Sequence, residues 1–525
     1  MSKKTKRATS KKIKRATSKK AKSGRVILSK TIPHQSATKF RGLYHPTLMN
    51  IEDEWLAYDE SGAYLSIRDK TMRAEISLFL VKAVRRQPER NEETGETHMA
   101  LVPFNPKRAD IAEVYEALEM LCHRPLEAYT PPCWLDKRER PDPQNIIACQ
   151  NGLLDISTRE LHGHTPDFFT RTALPIRFEA QPPAPERWLQ FLKEVTADRQ
   201  ALIDLLQEML GYLISTDLEQ EQVFYFLGKS RGGKGTLMKV IHALVGKRNL
   251  CAPTIRTLAG QYWAWPLREK SVAMITDMTV SDREKTKTAA NHINAISGRD
   301  PVTMERKFKE PVDAYCLPTR IVMAGNTLPD FGEHVTALAN RLLVIPFEVS
   351  FKGREDRQLA AKLIRDELPG ILVWALEGLA RLRERGHFVE PPESVKIKDE
   401  LLRLANPVRS FLDERCIIRA DLAASKVSLY NSYKTYCEEV GVRPIALKDF
   451  AQRIYELVPG SREYRPRADG KQVPHFAGVA TVRNAQATAP FDFEKELDSY
   501  LNLGFDLEEA IANTRAEAQK LRAMH

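Results

Sequence analysis

The sequence has no apolar run that approaches the roughly 18 to 20 residues needed to cross a bilayer. No apolar segment follows the charges at its N-terminus, so no secretory signal is predicted. Its seven cysteines are odd in number and form no CxxC pair, which argues against a disulfide framework. These absences predict a cytoplasmic protein with buried thiols and no membrane partner.

Acidic residues are missing from the first 25 residues, which contain 12 Lys or Arg. The whole chain carries a formal charge of +11, so the remainder is close to neutral. The basic segment repeats with a period of eight, in residues 3–10 and 11–18, and has few apolar side chains to bury. We expect a disordered tail that binds nucleic-acid phosphate, or else a solubilising extension with no specific partner.

The rest of the chain changes character several times, which predicts several domains. Three apolar runs, at 223–227, 272–275 and 321–324, are typical of buried strands, and helical stretches separate them. This alternation favours an α/β fold with a parallel-type sheet. The predicted parts are a disordered basic tail (1–40), an N-terminal α+β domain (41–185), an α/β domain (186–390), a small domain (400–484) and a helical tail (485–525).

The small domain has the pattern of a winged helix. Three helical segments begin near Pro407, Ser425 and Leu447, and a hairpin with the turn Asp469-Gly470 and a basic tip follows. The proline pair Pro391-Pro392 predicts a linker before this domain.

The run 223–227 leads directly into the segment 228–236, Gly-Lys-Ser-Arg-Gly-Gly-Lys-Gly-Thr, and a helix is predicted after it. This is a Walker A pattern, in which backbone amides and a lysine bind the phosphates of a nucleotide. The hydroxyl residue stands one position later than in the strict pattern, at Thr236 instead of Gly235. Thr236 therefore either reaches Mg²⁺ or contacts phosphate. The residues expected to bind ATP are Gly228, Gly232, Gly233, Lys234, Gly235 and Thr236.

A nucleotide site of this type needs a carboxylate at the end of a neighbouring strand to orient Mg²⁺. Asp277 closes the apolar run at 272–275 and is the candidate, although an aspartate at a strand end can also form a turn. The next residue is Met278, where many ATPases have a glutamate base. Asp282 and Glu284 are possible substitutes, and the sequence does not decide between them.

Two further polar residues adjoin apolar strands. Asn326 ends the run at 321–324 and is the candidate sensor that holds the attacking water, although Asn-Thr is also common in turns. Arg341 precedes the run 342–347. It is the candidate arginine finger, which neutralises charge on a neighbour's ATP, and a local salt bridge is the alternative.

The segment 298–309 alternates polar and apolar residues and predicts a hairpin with a cationic tip and one aromatic residue, Phe308. Charge combined with a stacking ring suits single-stranded nucleic acid. Arg306, Lys307 and Lys309 are therefore the candidate DNA contacts, with a solvated basic surface as the alternative.

In this order, these motifs resemble the phage and plasmid primase-helicase family, of the poxvirus/phage primase C-terminal type. The resemblance covers roughly residues 50 to 455. It includes Asn-Gly-Leu-Leu-Asp at 151–155 before the Walker A pattern, and the segments 350–356 and 367–379 after it.

The resemblance implies a superfamily 3 helicase motor with an AAA+-like P-loop core, a helicase-associated domain before it and a winged helix after it. It implies an ATP hydrolase that uses Mg²⁺, held by Thr236 and Asp277, and that moves on single-stranded and forked DNA as a homo-hexamer. Lys234, Asp277, Asn326 and Arg341 would be its catalytic residues. The protein would be nucleoid-associated in a bacterium.

Many members of this family also carry a primase domain. The acidic residues at 52–60 form no convincing metal constellation, so primase activity is expected to be absent or supplied by a separate primase or polymerase. Two other functions fit part of the pattern. One is a replication initiator whose ATPase controls assembly, and the other is a small-molecule P-loop kinase.

Overall fold

The computed structural model describes residues 25–92, 95–125, 129–276, 282–327, 335–468 and 471–482. The basic repeat at 1–24, Asp277, Met278, the turn Asp469-Gly470 and the C-terminal tail at 485–525 lie outside the described residues. The chain divides into two compact units near residue 396.

The first unit contains a five-stranded sheet in which all neighbouring strands are parallel. Its strands in spatial order are β12 (Leu250–Cys251), β13 (Val272–Ile275), β16 (Arg320–Gly325), β11 (Val223–Gly228) and β17 (Leu342–Phe347). The three apolar runs predicted as strands are confirmed as β11, β13 and β16. β13 and β17 are buried along their whole length, which explains why they are continuously apolar rather than alternating.

Helices connect and cover these strands. They are α4 (Glu186–Thr196), α5 (Gln200–Ile214), α6 (Lys234–Val245), α7 (Ile255–Leu258), α8 (Arg283–Ser297), α9 (Val335–Arg341), α10 (Leu359–Asp366) and α11 (Leu368–Arg385). The helix-rich stretch at 359–385 is two helices, because Pro369 lacks a backbone N–H and disfavours helical geometry in the residue before it. Glu367, between them, accepts hydrogen bonds from the backbone N–H groups of Arg187 (3.0 Å) and Trp188 (2.8 Å), and so caps α4.

The N-terminal part of this unit combines helices with short antiparallel pairings. Its helices are α1 (Pro33–Tyr44), α2 (Asp69–Lys82) and α3 (Arg108–Cys122). Its strands are β1 (Met49–Ile51), β2 (Glu54–Tyr58), β3 (Tyr64–Ile67), β4 (Val84–Arg90), β5 (Thr97–Pro103), β6 (Cys133–Trp134), β7 (Ile146–Cys149), β8 (Gly152–Asp155), β9 (Leu161–His162) and β10 (Phe168–Phe169).

The predicted extent of the disordered tail, 1–40, is wrong at its C-terminal end. Leu28, Ala37 and Phe40 are buried in the core of the N-terminal part, and α1 begins at Pro33. The reason is compositional, because the dense basic charge stops at residue 25 and apolar residues able to pack against α2 and α3 follow it.

A two-stranded hairpin, β14 (Val302–Met304) and β15 (Val312–Tyr315), follows α8, which confirms the hairpin predicted in this region. Beyond the sheet, α12 (Pro392–Ala405) begins where a linker was predicted. The two units divide within this helix, and Pro is well suited to the first turn of a helix as well as to a linker.

The second unit contains α13 (Pro407–Arg415), β18 (Cys416–Ser425), α14 (Lys426–Glu439), α15 (Leu447–Leu457), β19 (Glu463–Tyr464), β20 (Arg467–Ala468), β21 (Lys471–Gln472) and β22 (His475–Thr481). The three predicted helices are confirmed. β18 was not predicted, and it pairs antiparallel with β22, which also pairs with β19. In the part of the chain that the structure describes, no helix is long and apolar enough to span a bilayer.

Helices α5 and α11 pack at a close crossing made by glycine. A Cβ atom on Gly211 would lie 2.3 Å from the carbonyl oxygen of Ala375 and 2.7 Å from the Cβ of Leu379. We expect Gly211→Ala to destabilise the first unit by about 1 to 3 kcal/mol, because the backbones must separate to admit the methyl group. The measurement is the thermal unfolding midpoint.

Gly42→Ala is the matched control, since a Cβ at this α1 position meets no described atom within 4 Å. Alanine there should be neutral or stabilising by up to about 1 kcal/mol, through its higher helix propensity. If Gly211→Ala had the same thermal unfolding midpoint as the unsubstituted protein, the close approach of the two helices at Gly211 would be contradicted.

Candidate functional site

The loop 228–233 connects strand β11 to the N-terminus of α6, and two of its glycines cannot be replaced without steric conflict. Gly228 pairs with Phe347 in β17, and a Cβ there would lie 2.1 Å from the Phe347 carbonyl oxygen. Gly233 has φ +95°, and a Cβ there would lie 2.5 Å from Cγ1 of Val195 in α4. The loop therefore depends on glycine for close approach at one end and for a left-handed conformation at the other.

Lys234, the first residue of α6, donates its ammonium protons to oxygen atoms around this loop. Nζ lies 2.8 Å from the Lys229 carbonyl oxygen and 3.2 Å from Oδ1 of Asn326, and it also bonds the Gly228 carbonyl oxygen. No carboxylate of the described residues lies within ion-pair distance of it. Burial lowers the pKa of this ammonium group. A partly desolvated cation with only neutral acceptors is suited to bind an anion.

Asn326 reaches Lys234 because β16 pairs with β11 in parallel, with Leu227 opposite Gly325, so the two strands end side by side. The hydroxyl group of the buried Tyr225 donates a hydrogen bond to the Thr327 carbonyl oxygen at 2.8 Å. This bond fixes the chain directly after Asn326. Two residues predicted separately, Lys234 and Asn326, are therefore in contact.

The first turn of α6 contains two further candidate nucleotide-binding residues. Gly235 is exposed, and a Cβ there would meet no described atom within 4 Å. Thr236 is half-buried, and its backbone N–H donates to the Gly233 carbonyl oxygen at 3.0 Å. The hydroxyl group required by the Walker A pattern is thus one residue further along the helix than usual.

A segment after β17 also holds the loop, which sequence reasoning did not predict. Arg231 forms an ion pair with Glu355, and its carbonyl oxygen accepts from the backbone N–H of Phe351 at 3.0 Å. Phe191 and Val195 of α4 lie beside Gly233 on another side. The only signal for these contacts was the resemblance of segment 350–356 to the primase-helicase family.

The possible substitutes for a glutamate base differ in their contacts. Asp282 accepts from the backbone N–H of Lys285 at 3.3 Å at the start of α8, and its carboxylate lies 2.8 Å from Nζ of Lys285. The hydrogen bond from Lys285 lowers the pKa of Asp282. Glu284 follows in the first turn of the same helix, with its side chain exposed. Asp282 therefore caps α8, which leaves Glu284 the freer carboxylate of the two.

Arg341 is the last residue of α9, and its guanidinium group binds the C-terminal end of α8. Nη1 donates to the Asn294 carbonyl oxygen at 2.6 Å, and Nη2 lies 3.5 Å from a carboxylate oxygen of Glu221. A Cβ on Gly298 would lie 2.7 Å from the guanidinium nitrogens, so glycine leaves room for them. In this chain Arg341 thus has local partners.

The hairpin β14–β15 separates the three candidate DNA contacts into two groups. Phe308 at its tip is 93% exposed, and Nζ of Lys307 lies 5.1 Å from the centre of its ring. The Arg306 side chain is only 7% exposed and donates to the Glu52 carbonyl oxygen at 3.2 Å. Lys309 also approaches the N-terminal part of the unit, 3.8 Å from a carboxylate oxygen of Asp69. Lys307 and Phe308 are the solvent-facing pair.

Beside this hairpin lies a half-buried network of two arginines and two glutamates that the sequence did not reveal. Glu54 lies 2.9 Å from Arg171 and 2.7 Å from Arg268, and Glu269 lies 2.8 Å from Arg268. Burial raises the pKa of Glu54. The pKa of Glu269 is lowered to about 2, because its hydrogen bond with Glu54 and the two arginines outweigh burial. Glu54, one of the acidic residues at 52–60, is thus engaged by cations of the same chain.

Three family models match the chain, and together they cover more than half of it. Residues 226–341 match the Family of unknown function (DUF5906), which spans the loop, Asn326 and Arg341. Residues 51–197 match the model described as D5 N terminal like. Residues 403–474 match the model described as Poxvirus D5 protein-like, within the second unit.

Solved structures of the NrS-1 C terminal region are similar to parts of the chain. The apo structure of residues 305–718 of that protein is 12% identical, covers 77% of this chain and 98% of its own, and has a TM-score of 0.40. The A form apo structure is 13% identical, covers 57% and 78%, and has a TM-score of 0.39.

We expect Gly233→Ala to weaken binding of a fluorescent ATP analogue by about tenfold or more. Alanine is strained at φ +95° and its methyl group would strike Val195, so the backbone of the loop must move. The measurement is a titration followed by fluorescence anisotropy.

Gly235→Ala is the control, because its Cβ projects into open space and the backbone N–H is kept. Its affinity should stay within a few-fold of the unsubstituted protein. Equal affinities for the two variants would contradict the role assigned to the left-handed glycine.

Proposed function

The chain belongs to the D5-like phage primase-helicase family, whose members act in DNA replication, and from this premise we propose that it is an ATP-driven superfamily 3 DNA helicase. It would serve the replication of a phage, plasmid or integrated mobile element. The observation that carries the proposal is the contact between Lys234 and Asn326 at the carboxyl edge of a parallel sheet. Ligands of open α/β sheets bind at this edge.

The residues around the loop fit the triphosphate of ATP. Lys234 offers an ammonium group with neutral partners, and the first turn of α6 offers backbone N–H groups. Mg²⁺ would be held by Thr236 and Asp277 and would neutralise phosphate charge. Asn326 would orient the attacking water, since its amide group already lies beside the ammonium group.

The described topology of the second unit supports a winged helix. The supporting features are three helices, an early strand that pairs with the last one, and a small pair β20–β21 next to the basic residue Arg465. This unit would bind the duplex arm of a fork, and the motor at 186–390 would draw in one strand. The N-terminal part would be the helicase-associated domain.

The motor would act as a homo-hexameric ring, with a primase or polymerase supplied by a separate chain. The pore contacts would come from the exposed tip of β14–β15, where a cation stands next to an aromatic ring. Such a pair binds the phosphate and bases of a single strand. Arg341 would complete the ATP site of the neighbouring subunit.

Lys307→Ala should uncouple the motor. We expect basal ATP hydrolysis to be kept, whereas stimulation by single-stranded DNA and unwinding of a forked duplex should fall by about tenfold or more, because the lysine meets DNA and not nucleotide.

Lys247→Ala serves as the matched control, because Lys247 is an exposed lysine on the turn after α6. Lys234→Ala should abolish hydrolysis and unwinding together. Normal unwinding by Lys307→Ala would place this lysine outside the pore. DNA-stimulated hydrolysis without strand displacement in the unsubstituted protein would favour an initiator over a helicase.

Arg341→Ala should bind ATP normally but hydrolyse it about 10³- to 10⁵-fold more slowly, as expected for an arginine finger. Mixing this variant with Lys234→Ala tests whether the arginine acts across an interface. If it does, some interfaces in the mixed rings contain both intact residues, and hydrolysis is partly restored. No recovery at any mixing ratio would assign Arg341 to its own subunit, where it binds α8.

A further inference from the structure

The turn between β1 and β2 has an unusual composition for its geometry. Ile51 pairs with Glu54, so Glu52 and Asp53 form a two-residue loop, and both have positive φ, at 49° and 58°. Loops of this type strongly favour Asn-Gly, because most side chains are strained in this conformation. Two adjacent acidic residues therefore indicate a requirement other than turn formation.

This turn faces the tip of the β14–β15 hairpin and supplies oxygen atoms to its cations. Arg306 donates to the Glu52 carbonyl oxygen at 3.2 Å and lies 3.8 Å from the Asp53 carboxylate. Lys309 donates to the Asp53 carbonyl oxygen at 3.5 Å. Carbonyl and carboxylate oxygens thus surround a guanidinium and an ammonium group, as the oxygens of a phosphodiester would.

We propose that the β1–β2 turn is an intramolecular competitor for the DNA phosphate at the hairpin tip, and that a single strand must displace it to bind Arg306 and Lys309. This proposal rests on the proposed function, because it requires that the hairpin binds DNA. Lys307 and Phe308 face solvent and make the first contact. Arg306 and Lys309 follow when the turn yields.

The strength of the contact suits a competitor that can be displaced. Asp53 is 66% exposed and lies at the far limit of ion-pair distance from Arg306, so solvent screens their attraction. Lys309 and Asp69 are also well exposed, and Nζ of Lys309 lies 3.8 Å from a carboxylate oxygen of Asp69. A phosphate group that bonds the same cations directly forms shorter charge-assisted bonds. The turn therefore lowers DNA affinity without blocking it.

Asp53→Asn tests the competition. Asparagine removes the charge and is well tolerated at positive φ, so the turn should fold. We expect the Kd for a fluorescent single strand to fall about two- to fivefold, the size expected for loss of a weak competing ion pair. The DNA concentration that gives half-maximal ATPase should fall by the same factor, with the maximal rate unchanged.

Glu60→Gln is the matched control. Glu60 is an exposed carboxylate after β2 and has no ion-pair partner among the described residues, so its replacement changes net charge equally. Its Kd should stay within about 1.5-fold of the unsubstituted protein. Asp53→Gly also suits the turn and removes the same charge, but it leaves no side chain. If the charge causes the tighter binding, Asp53→Gly should lower the Kd as much as Asp53→Asn does.

Three results would overturn the proposal. Equal tightening by Glu60→Gln would assign the effect to net charge. Unchanged affinity in both Asp53 variants would show that the turn does not compete. Weaker binding by both would mean that the turn positions the tip for DNA. The proposed function fails in a different experiment. If the hairpin does not bind DNA, Lys307→Ala has the same affinity for the single strand as the unsubstituted protein.

Discussion

The position of β11 between β16 and β17 is the constraint on which the candidate site depends. Parallel pairing on both sides brings three strand ends to one edge, so that Gly228 lies against the Phe347 backbone and Asn326 lies next to Lys234. A side chain at position 228 would separate β11 from β17 and move the loop away from both neighbours. The contact between Lys234 and Asn326 at this edge therefore follows from the backbone pairing of the strands.

The N-terminal part of the first unit contacts the base of the hairpin β14–β15. The Glu54–Arg171–Arg268–Glu269 network joins β2 to the chain before β13, and Trp265 stacks against Arg268 at 3.7 Å and lies 5.6 Å from Arg306. Removing one partner of a half-buried network leaves the other charges without a counter-ion, which costs more than the intact network contributes. The base of the hairpin is thus held by charges that the solvent cannot easily replace.

The sequence predicted those elements whose formation depends on residues close together in the chain. Apolar runs located β11, β13 and β16, and the glycine-rich string predicted a helix after residue 236, which in the structure begins slightly earlier, at Lys234. Because parallel strands end at one edge, the meeting of Lys234 with Asn326 could also be predicted.

The remainder depends on contacts between residues far apart in sequence. Arg306 and its partner Glu52 are 254 positions apart, and no periodicity signals their contact. Val195 beside Gly233 and the cap that Glu367 provides to α4 are likewise contacts between distant positions. So is the hydrogen bond from Arg341 to Asn294, which is 47 positions away. A basic residue in the sequence could be counted as a DNA contact, but only the folded chain reveals which cations already have partners.

The contact between Val195 and Gly233 shows that the loop depends on residues outside the segment that contains the motifs. Glu367 fixes the first turn of α4, and α4 in turn supplies the side chains that lie against the left-handed glycine. A recombinant fragment that began at β11 and ended at Arg341 would carry every motif residue, yet it would lack α4, β17 and Glu355. The loop would then have solvent on the sides where the full chain places Val195, Phe347 and an ion-pair partner. A fragment that keeps these contacts therefore extends from before residue 186 to beyond residue 367, roughly one and a half times the length of the stretch from β11 to Arg341.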